Sequence, residues 1–275
     1  MKTISPNEKC SCGSGKKYKF CCAKSPAVPF QNISGIIVNP DEGQSFIVTK
    51  DILINQLNRD TQKISASFDK LCDKDIKELS KLQSKVILIL YTGLIKLVKT
   101  TDELRSTCVS LLFNANTSFT AAVQLLRGGY RLQPGILVRN IIETISTVLY
   151  LINTPGKLNS FKEEKLESPK TITAAKRILP TLGKLYGFFS NNYAHISKIH
   201  QSIHLLNEYK ERDETLDSNI GFLRIALWLI YVTSELTYID IVEKPRYWEV
   251  ISSNKYAYNP SENEKQWFRS FMHLK

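Results

Sequence analysis

From about Asp51 onward, apolar residues recur every three to four positions, the period of a helix with one buried face. The spacing predicts helices near 51–71, 73–99, 101–127, 131–153, 169–195, 197–209, 216–243 and 260–273. Thr101 and Ser168 stand where N-caps are expected, Ser168 with Pro169 in the favoured first position, and Gly128-Gly129 reads as a stop. Before Asp51 the period changes. Gly35-Ile36-Ile37-Val38, the turn-like Asn39-Pro40-Asp41-Glu42-Gly43 and Ser45-Phe46-Ile47-Val48-Thr49 suggest one small β-hairpin. The predicted fold class is mainly α: a helical bundle over 51–275, a linker and short hairpin over 26–50, and a small cysteine-rich module over 1–25. Ser25-Pro26-Ala27-Val28-Pro29 forms a short stiff connection between module and remainder.

With 275 residues there is room for a sizeable core, in one large or two unequal domains. A hydrophobic content of 43% and a mean hydropathy of −0.18 fit an ordinary soluble chain. The most apolar stretches are 86–98 and 220–242. The first is too short to span a bilayer and ends in Lys96 and Lys99. The second has the length but contains Arg224, Glu235 and Asp240. Both read as buried helices, so no membrane span and a cytoplasmic location are expected. A net charge of +11 favours contact with polyanions: RNA, the ribosome, DNA or an anionic membrane surface.

Four of the six cysteines fall within thirteen positions, as Cys10-Ser11-Cys12, an eight-residue interval, then Cys21-Cys22. A segment this short cannot bury a core of its own, so covalent or coordinative bonds must hold it. Four thiolates at this density suit a tetrahedral zinc ion, with Zn–S bonds of about 2.3 Å. Gly13 and Gly15 give the backbone freedom to wrap a metal closely. A disulfide framework fits less well, because Cys72 and Cys108 remain as isolated residues in apolar helical stretches of a long chain with no secretory signal.

The segment Asn7-Glu8-Lys9-Cys10-Ser11-Cys12-Gly13-Ser14-Gly15-Lys16-Lys17-Tyr18-Lys19-Phe20-Cys21-Cys22 resembles the SEC-C motif, the zinc module at the C-terminal end of the SecA translocation motor. Ser11 stands where that family usually has proline, and Cys22 is the last ligand where relatives have Cys or His. The resemblance covers under a tenth of the chain. It implies Zn2+ held by Cys10, Cys12, Cys21 and Cys22 in an adaptor that docks on protein partners or ribosomes. It does not imply catalysis, since four thiolates leave no coordination position for a reactive water.

Residues 1–25 carry Lys2, Lys9, Lys16, Lys17, Lys19 and Lys24 against the single acid Glu8. Part of this charge offsets the formally anionic Zn(Cys)4 centre. Lys16, Lys17 and Lys19 flank Tyr18 and Phe20, and cations beside aromatics can track phosphates and stack on bases. The competing reading packs Tyr18 or Phe20 over the metal and leaves the lysines solvated.

Two polar groups interrupt the apolar periodicity of the body. In Ile136-Leu137-Val138-Arg139-Asn140-Ile141-Ile142-Glu143, Arg139 and Glu143 lie four apart on one helix face amid apolar neighbours. Buried charges must pair or hydrogen-bond, so this face is either a polar constellation at a cleft or an exposed salt bridge. Near 181–195 stand Tyr186, Ser190, Asn191, Asn192 and His195. His195 is a candidate acid or base, and equally a helix-capping histidine. His200 and His204 have a metal-chelating spacing, but with no further ligand in view a solvated pair is the better reading.

Arg139-x-x-x-Glu143 followed by Tyr186-x-x-x-Ser190 and His195 is similar to a helical bacterial domain family of unknown function, over most of 75–245. The wider resemblance is to HEPN bundles (higher eukaryotes and prokaryotes nucleotide-binding), many of them ribonucleases with Arg-x4–6-His on one helix. This chain has Phe189, Ser190 and Asn191 where that arginine belongs, so a phosphate-stabilising cation would have to come from elsewhere, such as Arg139. The expectation is a zinc-binding adaptor or effector whose module docks a ribosome, RNA or protein partner. The alternative is a metal-independent ribonuclease of HEPN type in stress or anti-phage defence, with Arg139 on the phosphate, His195 moving protons and Glu143 orienting Arg139. A third reading is a homo-oligomer in which polar residues fix helix register.

Overall fold

A computed structural model describes residues 5–9, 15–20, 32–39, 44–97, 102–201, 205–252 and 255–274. The chain divides into two units, Met1–Asp60 and Thr61–Lys275, so the boundary falls at Asp60 rather than at Lys50.

In the first unit, the hairpin expected from the turn cluster is present. Strands β1 (Ile33–Asn39) and β2 (Gln44–Thr49) pair antiparallel, Ile36 opposite Ile47, with an irregularity between Ile33 and Gly35. Helix α1 (Ile52–Asn55) and a π-helical turn (Gln56–Asp60) follow.

The second unit is a helical bundle. Helix α2 (Thr61–Leu97) fuses two segments that the spacing predicts separately. Its buried positions Ile64, Phe68, Cys72, Leu79, Leu82, Val86 and Leu90 keep one face inward along its length, so nothing breaks it near Cys72. Of the 86–98 stretch only that face is covered; Leu88, Tyr91 and Ile95 are exposed, which corrects its reading as a buried helix. Helix α3 (Glu103–Arg127) starts at Asp102, whose carboxylate accepts from the Arg105 N–H at 2.9 Å. It stops at Gly128, with Gly129 in the left-handed region at φ 91°.

Helix α4 (Gln133–Asn153) carries Pro134 in its first turn. A short α5 (Leu158–Lys162) precedes α6 (Ser168–Ile178), which is capped from Glu167, so Ser168 is the first helical residue instead of the cap. The predicted 169–195 helix is three pieces. Pro180 forces Leu179 out of helical geometry, ending α6 and opening α7 (Thr181–Phe189), which runs into a π turn, Ser190–Ala194. The helix expected over 197–209 is, among the described residues, only a 3-10 turn at Lys198–Gln201.

Helix α8 (Glu214–Thr237) is the centre of the bundle and starts at Asp213, whose side chain accepts from the Leu216 N–H. α4 and α8 are long and apolar enough, by length and composition, to cross a membrane, yet half and 83% of their apolar windows are buried inside the bundle. They are core helices. Gly93 of α2 allows the Tyr238 ring at the end of α8 to lie against the helix, where a Cβ would stand 2.0 Å from it. The sequence gives no forewarning of a second hairpin, β3 (Trp248–Ser252) and β4 (Lys255–Tyr258). It is anchored by the Trp248 indole N–H, which donates to the Val232 carbonyl at 2.6 Å. Helix α9 (Glu262–Phe271) closes the body from a Ser261 cap.

Candidate functional site

The polar residues that the sequence singles out on α4 and near 186–190 meet. One face of α4 buries Val138, Ile141, Ile142 and Ile145, which leaves Arg139 and Glu143 at its edge, with side chains 24% and 20% exposed. The Arg139 Nη1 donates to Glu143 Oε2 at 2.9 Å, one helical turn on. From α7, the Tyr186 hydroxyl accepts from Nη2 at 3.1 Å, and its ring centroid lies 5.2 Å from the guanidinium carbon. From the π turn, Ser190 Oγ accepts from Nε at 3.0 Å. One guanidinium is thus held on three sides by side chains from two chain segments. Arginine has five N–H donors, so two remain without a partner among the described residues.

The π turn is what aligns these groups. Its defining bond runs from the His195 N–H to the Ser190 carbonyl at 3.0 Å, one residue wider than an α turn. Ser190 is buried there against Arg139, and Tyr193 packs flat against Gly135 of α4, where a Cβ would lie 2.2 Å from the ring. Burial raises the Tyr193 phenol above its ordinary pKa. Tyr193, Phe188, Phe189 and Phe222 form an aromatic cluster behind the turn, with ring centroids 4.9 to 6.1 Å apart.

His195 does not join the cluster. It is the extended residue closing the π turn, exposed, and its imidazole makes no hydrogen bond or ion pair among the described residues. The capping role weighed for it in the sequence is the one its backbone performs. His200 Nδ1 accepts from the Ser197 N–H at 3.1 Å, while His204 lies outside the described residues. No group of three or more His, Cys, Asp or Glu side chains suited to a metal occurs among the described residues.

Cys10, Cys12, Cys21 and Cys22 also lie outside the described residues, but their flanks do not. Lys9 forms an antiparallel bridge with Lys17, the Lys19 N–H donates to the Pro6 carbonyl, and the Phe20 N–H donates to that of Lys17. Lys9 adjoins Cys10 and Phe20 adjoins Cys21, so the residues flanking both cysteine pairs are tied together through Lys17. Gly15 sits at φ 70°, the left-handed turn that this closure uses. Lys16, Lys17 and Lys19 are exposed, with Lys19 Nζ 5.0 Å from the Phe20 ring centroid. Phe20 is 59% exposed, so its ring is not packed over a metal. The Tyr18 side chain lies outside what the structure describes.

Sequence reasoning missed an ionic network in the core. Arg224 of α8 donates to Asp75 Oδ1 at 2.8 Å, to Glu78 Oε2 at 2.7 Å and to the Phe271 carbonyl at 2.6 Å. Arg212 donates to the other Asp75 oxygen at 2.6 Å and also engages Asp217. The signal was a charge, Arg224, in one of the most apolar stretches; its partners lie too far away in sequence to be inferred. Compared with models of protein families, with curated proteins and with solved structures, the chain matches none.

Proposed function

We propose that this protein is a cytoplasmic zinc-binding adaptor or effector that acts on RNA, free or within the ribosome. In this reading Cys10, Cys12, Cys21 and Cys22 hold one zinc ion of the SEC-C type, and Lys16, Lys17 and Lys19 present positive charge to the phosphate backbone. The tie between the two cysteine flanks supports a common coordination centre, and the exposed lysines beside Phe20 support an outward-facing contact. The helical body carries the effector role. The single observation behind that assignment is the fixed guanidinium of Arg139, held by Glu143, Tyr186 and Ser190 with two donors to spare. A positioned fork of N–H donors is the geometry that recognises a phosphate oxyanion.

The test is fluorescence anisotropy with a labelled single-stranded RNA over a series of salt concentrations. Log K should fall linearly with log salt, by roughly 0.7 per phosphate neutralised. Lys16→Ala/Lys17→Ala/Lys19→Ala should flatten the slope, and Arg139→Met should weaken binding while the fold is kept. Absence of binding at low salt would overturn the reading.

A second reading keeps enzyme chemistry: a HEPN-type ribonuclease. It is favoured by one observation, that exposed His195 closes the same π turn whose first residue bonds Arg139. RNA cleavage by the wild type, lost in His195→Ala, would place it ahead of the binding role.

A further inference from the structure

A recess on the opposite polar system of the body, remote from Arg139 in sequence, is lined by Lys85 of α2, Tyr231 of α8, Arg246 and Tyr247 ahead of β3, and Glu264 and Trp267 of α9. Its volume is about 100 Å³, room for several water-sized groups. Tyr231 is 1% exposed, and its hydroxyl has no hydrogen-bond partner among the described residues. An orphaned buried hydroxyl is costly, so one that lines a recess marks a place where something supplies the missing bond.

The cations around that hydroxyl are also underused. Arg246 stacks 5.5 Å over the Tyr231 ring, and its guanidinium stands 3.7 Å from Glu264 and 3.9 Å from Glu235, beyond hydrogen-bond reach of either. Lys85 makes no hydrogen bond or ion pair among the described residues. The acid that lines the recess is already occupied: Glu264 accepts from the Tyr247 hydroxyl at 2.8 Å. Glu235, behind Arg246, accepts the backbone N–H groups of Arg246 and Tyr247, and burial pushes its carboxyl toward the neutral form. Free donors therefore outnumber free acceptors, and the unmet demand is for an anion with several oxygens.

Lys85 and Trp267 line a second, larger groove of about 490 Å³ as well, with Lys81 beside them and Trp267 stacked on Phe271 at 5.1 Å. The geometry points to a nucleoside monophosphate site: the phosphate in the recess, bonded by Lys85, Arg246 and the Tyr231 hydroxyl, and the nucleoside along the groove past Trp267. The same chemistry is offered by a free mononucleotide and by the 5′-phosphorylated end of an RNA.

Intrinsic fluorescence of the full chain provides the readout, because Trp228 and Trp248 are buried and Trp267 is the tryptophan at the groove. AMP should change the emission saturably, adenosine should not, and inorganic phosphate should compete only weakly. Trp267→Phe should remove the signal. Lys85→Met should weaken AMP binding about tenfold or more and Tyr231→Phe about fivefold, the loss expected for a charged and a neutral hydrogen bond. Unchanged melting curves would show that the variants fold. Arg139→Met should leave AMP binding as it is, which separates this site from the RNA contact proposed above. If a 5′-phosphorylated oligonucleotide displaces AMP and its 5′-hydroxyl twin does not, the ligand is an RNA end; if neither displaces it, the ligand is the free nucleotide. AMP binding no tighter than phosphate, or unaltered in both Lys85→Met and Tyr231→Phe, would overturn the assignment.

Discussion

Arg224 of α8 and Asp75 of α2 form an ion pair of 2.8 Å with side chains only 2% and 4% exposed. A buried pair gains little over apolar residues of the same shape, but losing one partner strands the other charge in the core. Arg224→Met should therefore cost about 3–5 kcal/mol, read as a lower midpoint in urea. Asp75 would keep Arg212, so the loss should be partial rather than complete unfolding. A variant as stable as the wild type would mean that the pair contributes nothing.

The same network sets the acid response. Burial pushes the Asp75 carboxyl up, but hydrogen bonds from Arg212 and Arg224 outweigh it and hold the group below its ordinary range. Glu78 is likewise raised by burial and brought below its usual value by Arg224, and Asp69 is lowered by Arg127. Groups depressed in the folded state stabilise it above their unfolded pKa, about 4, and lose that contribution as pH falls through the folded values. Stability should decline steeply below about pH 4.

Glu235 has the opposite sign. Burial raises its pKa, so it favours folding below its unfolded value, about 4.3, and that contribution disappears as pH rises through the folded value. Glu235→Gln keeps the oxygen that accepts from Arg246 and Tyr247 and removes the titration. At pH 8 the variant should be the more stable by on the order of 1 kcal/mol, and the gap should close toward pH 4. Parallel wild-type and variant curves across that range would refute the prediction.

For the Arg139 site, partial exposure predicts a moderate structural cost. Glu143→Gln and Arg139→Met should each lose about 1–2 kcal/mol, far less than Arg224→Met. RNA binding should respond much more strongly than melting temperature. Strong destabilisation by each single change, rescued when both residues become apolar, would make the pair structural.

Gly135→Ala tests the π turn without touching Arg139. The new methyl would meet the Tyr193 ring, at a cost of about 1–3 kcal/mol, and should displace the turn that carries Ser190. RNA binding is expected to fall with it, and Tyr193→Leu in the same chain should recover part of both.

Metal analysis addresses the N-terminal module. The wild type should hold one zinc per chain, and Cys21→Ser/Cys22→Ser should hold none. Zinc should be released in acid, because the thiolates must be deprotonated to bind. Since Thr61–Lys275 forms a unit of its own, its melting should change little. Full zinc content in the double variant would remove the assignment.

Local chemistry was legible in the sequence and long-range pairing was not. The hairpin around residues 39–43, the stop at Gly128-Gly129 and the four-residue spacing of Arg139 and Glu143 each follow from a few neighbouring residues. The convergence of Arg139 with Tyr186 and Ser190 was legible only as two polar groups, because a π turn shifts the register in a way that no α-helical count anticipates. The second hairpin escaped because its strands are short and mostly exposed, with little alternation to read. The recess at Tyr231 escaped because its six residues come from four separate parts of the chain.

Arg224 also imposes an order of events. Its three partners lie at positions 75, 78 and 271, so the earliest long helix of the body and the last one are fastened by the same side chain. As the polypeptide is made, Asp75 and Glu78 emerge with no cation to receive them, and Arg224 itself arrives before the Phe271 carbonyl exists. Until residue 271 has been made, the carboxylates are better off in water than in the core. The bundle thus cannot close progressively behind the advancing chain. Its final collapse waits for α9, and a half-made chain must keep its apolar α2 and α4 faces open, a natural demand on a chaperone.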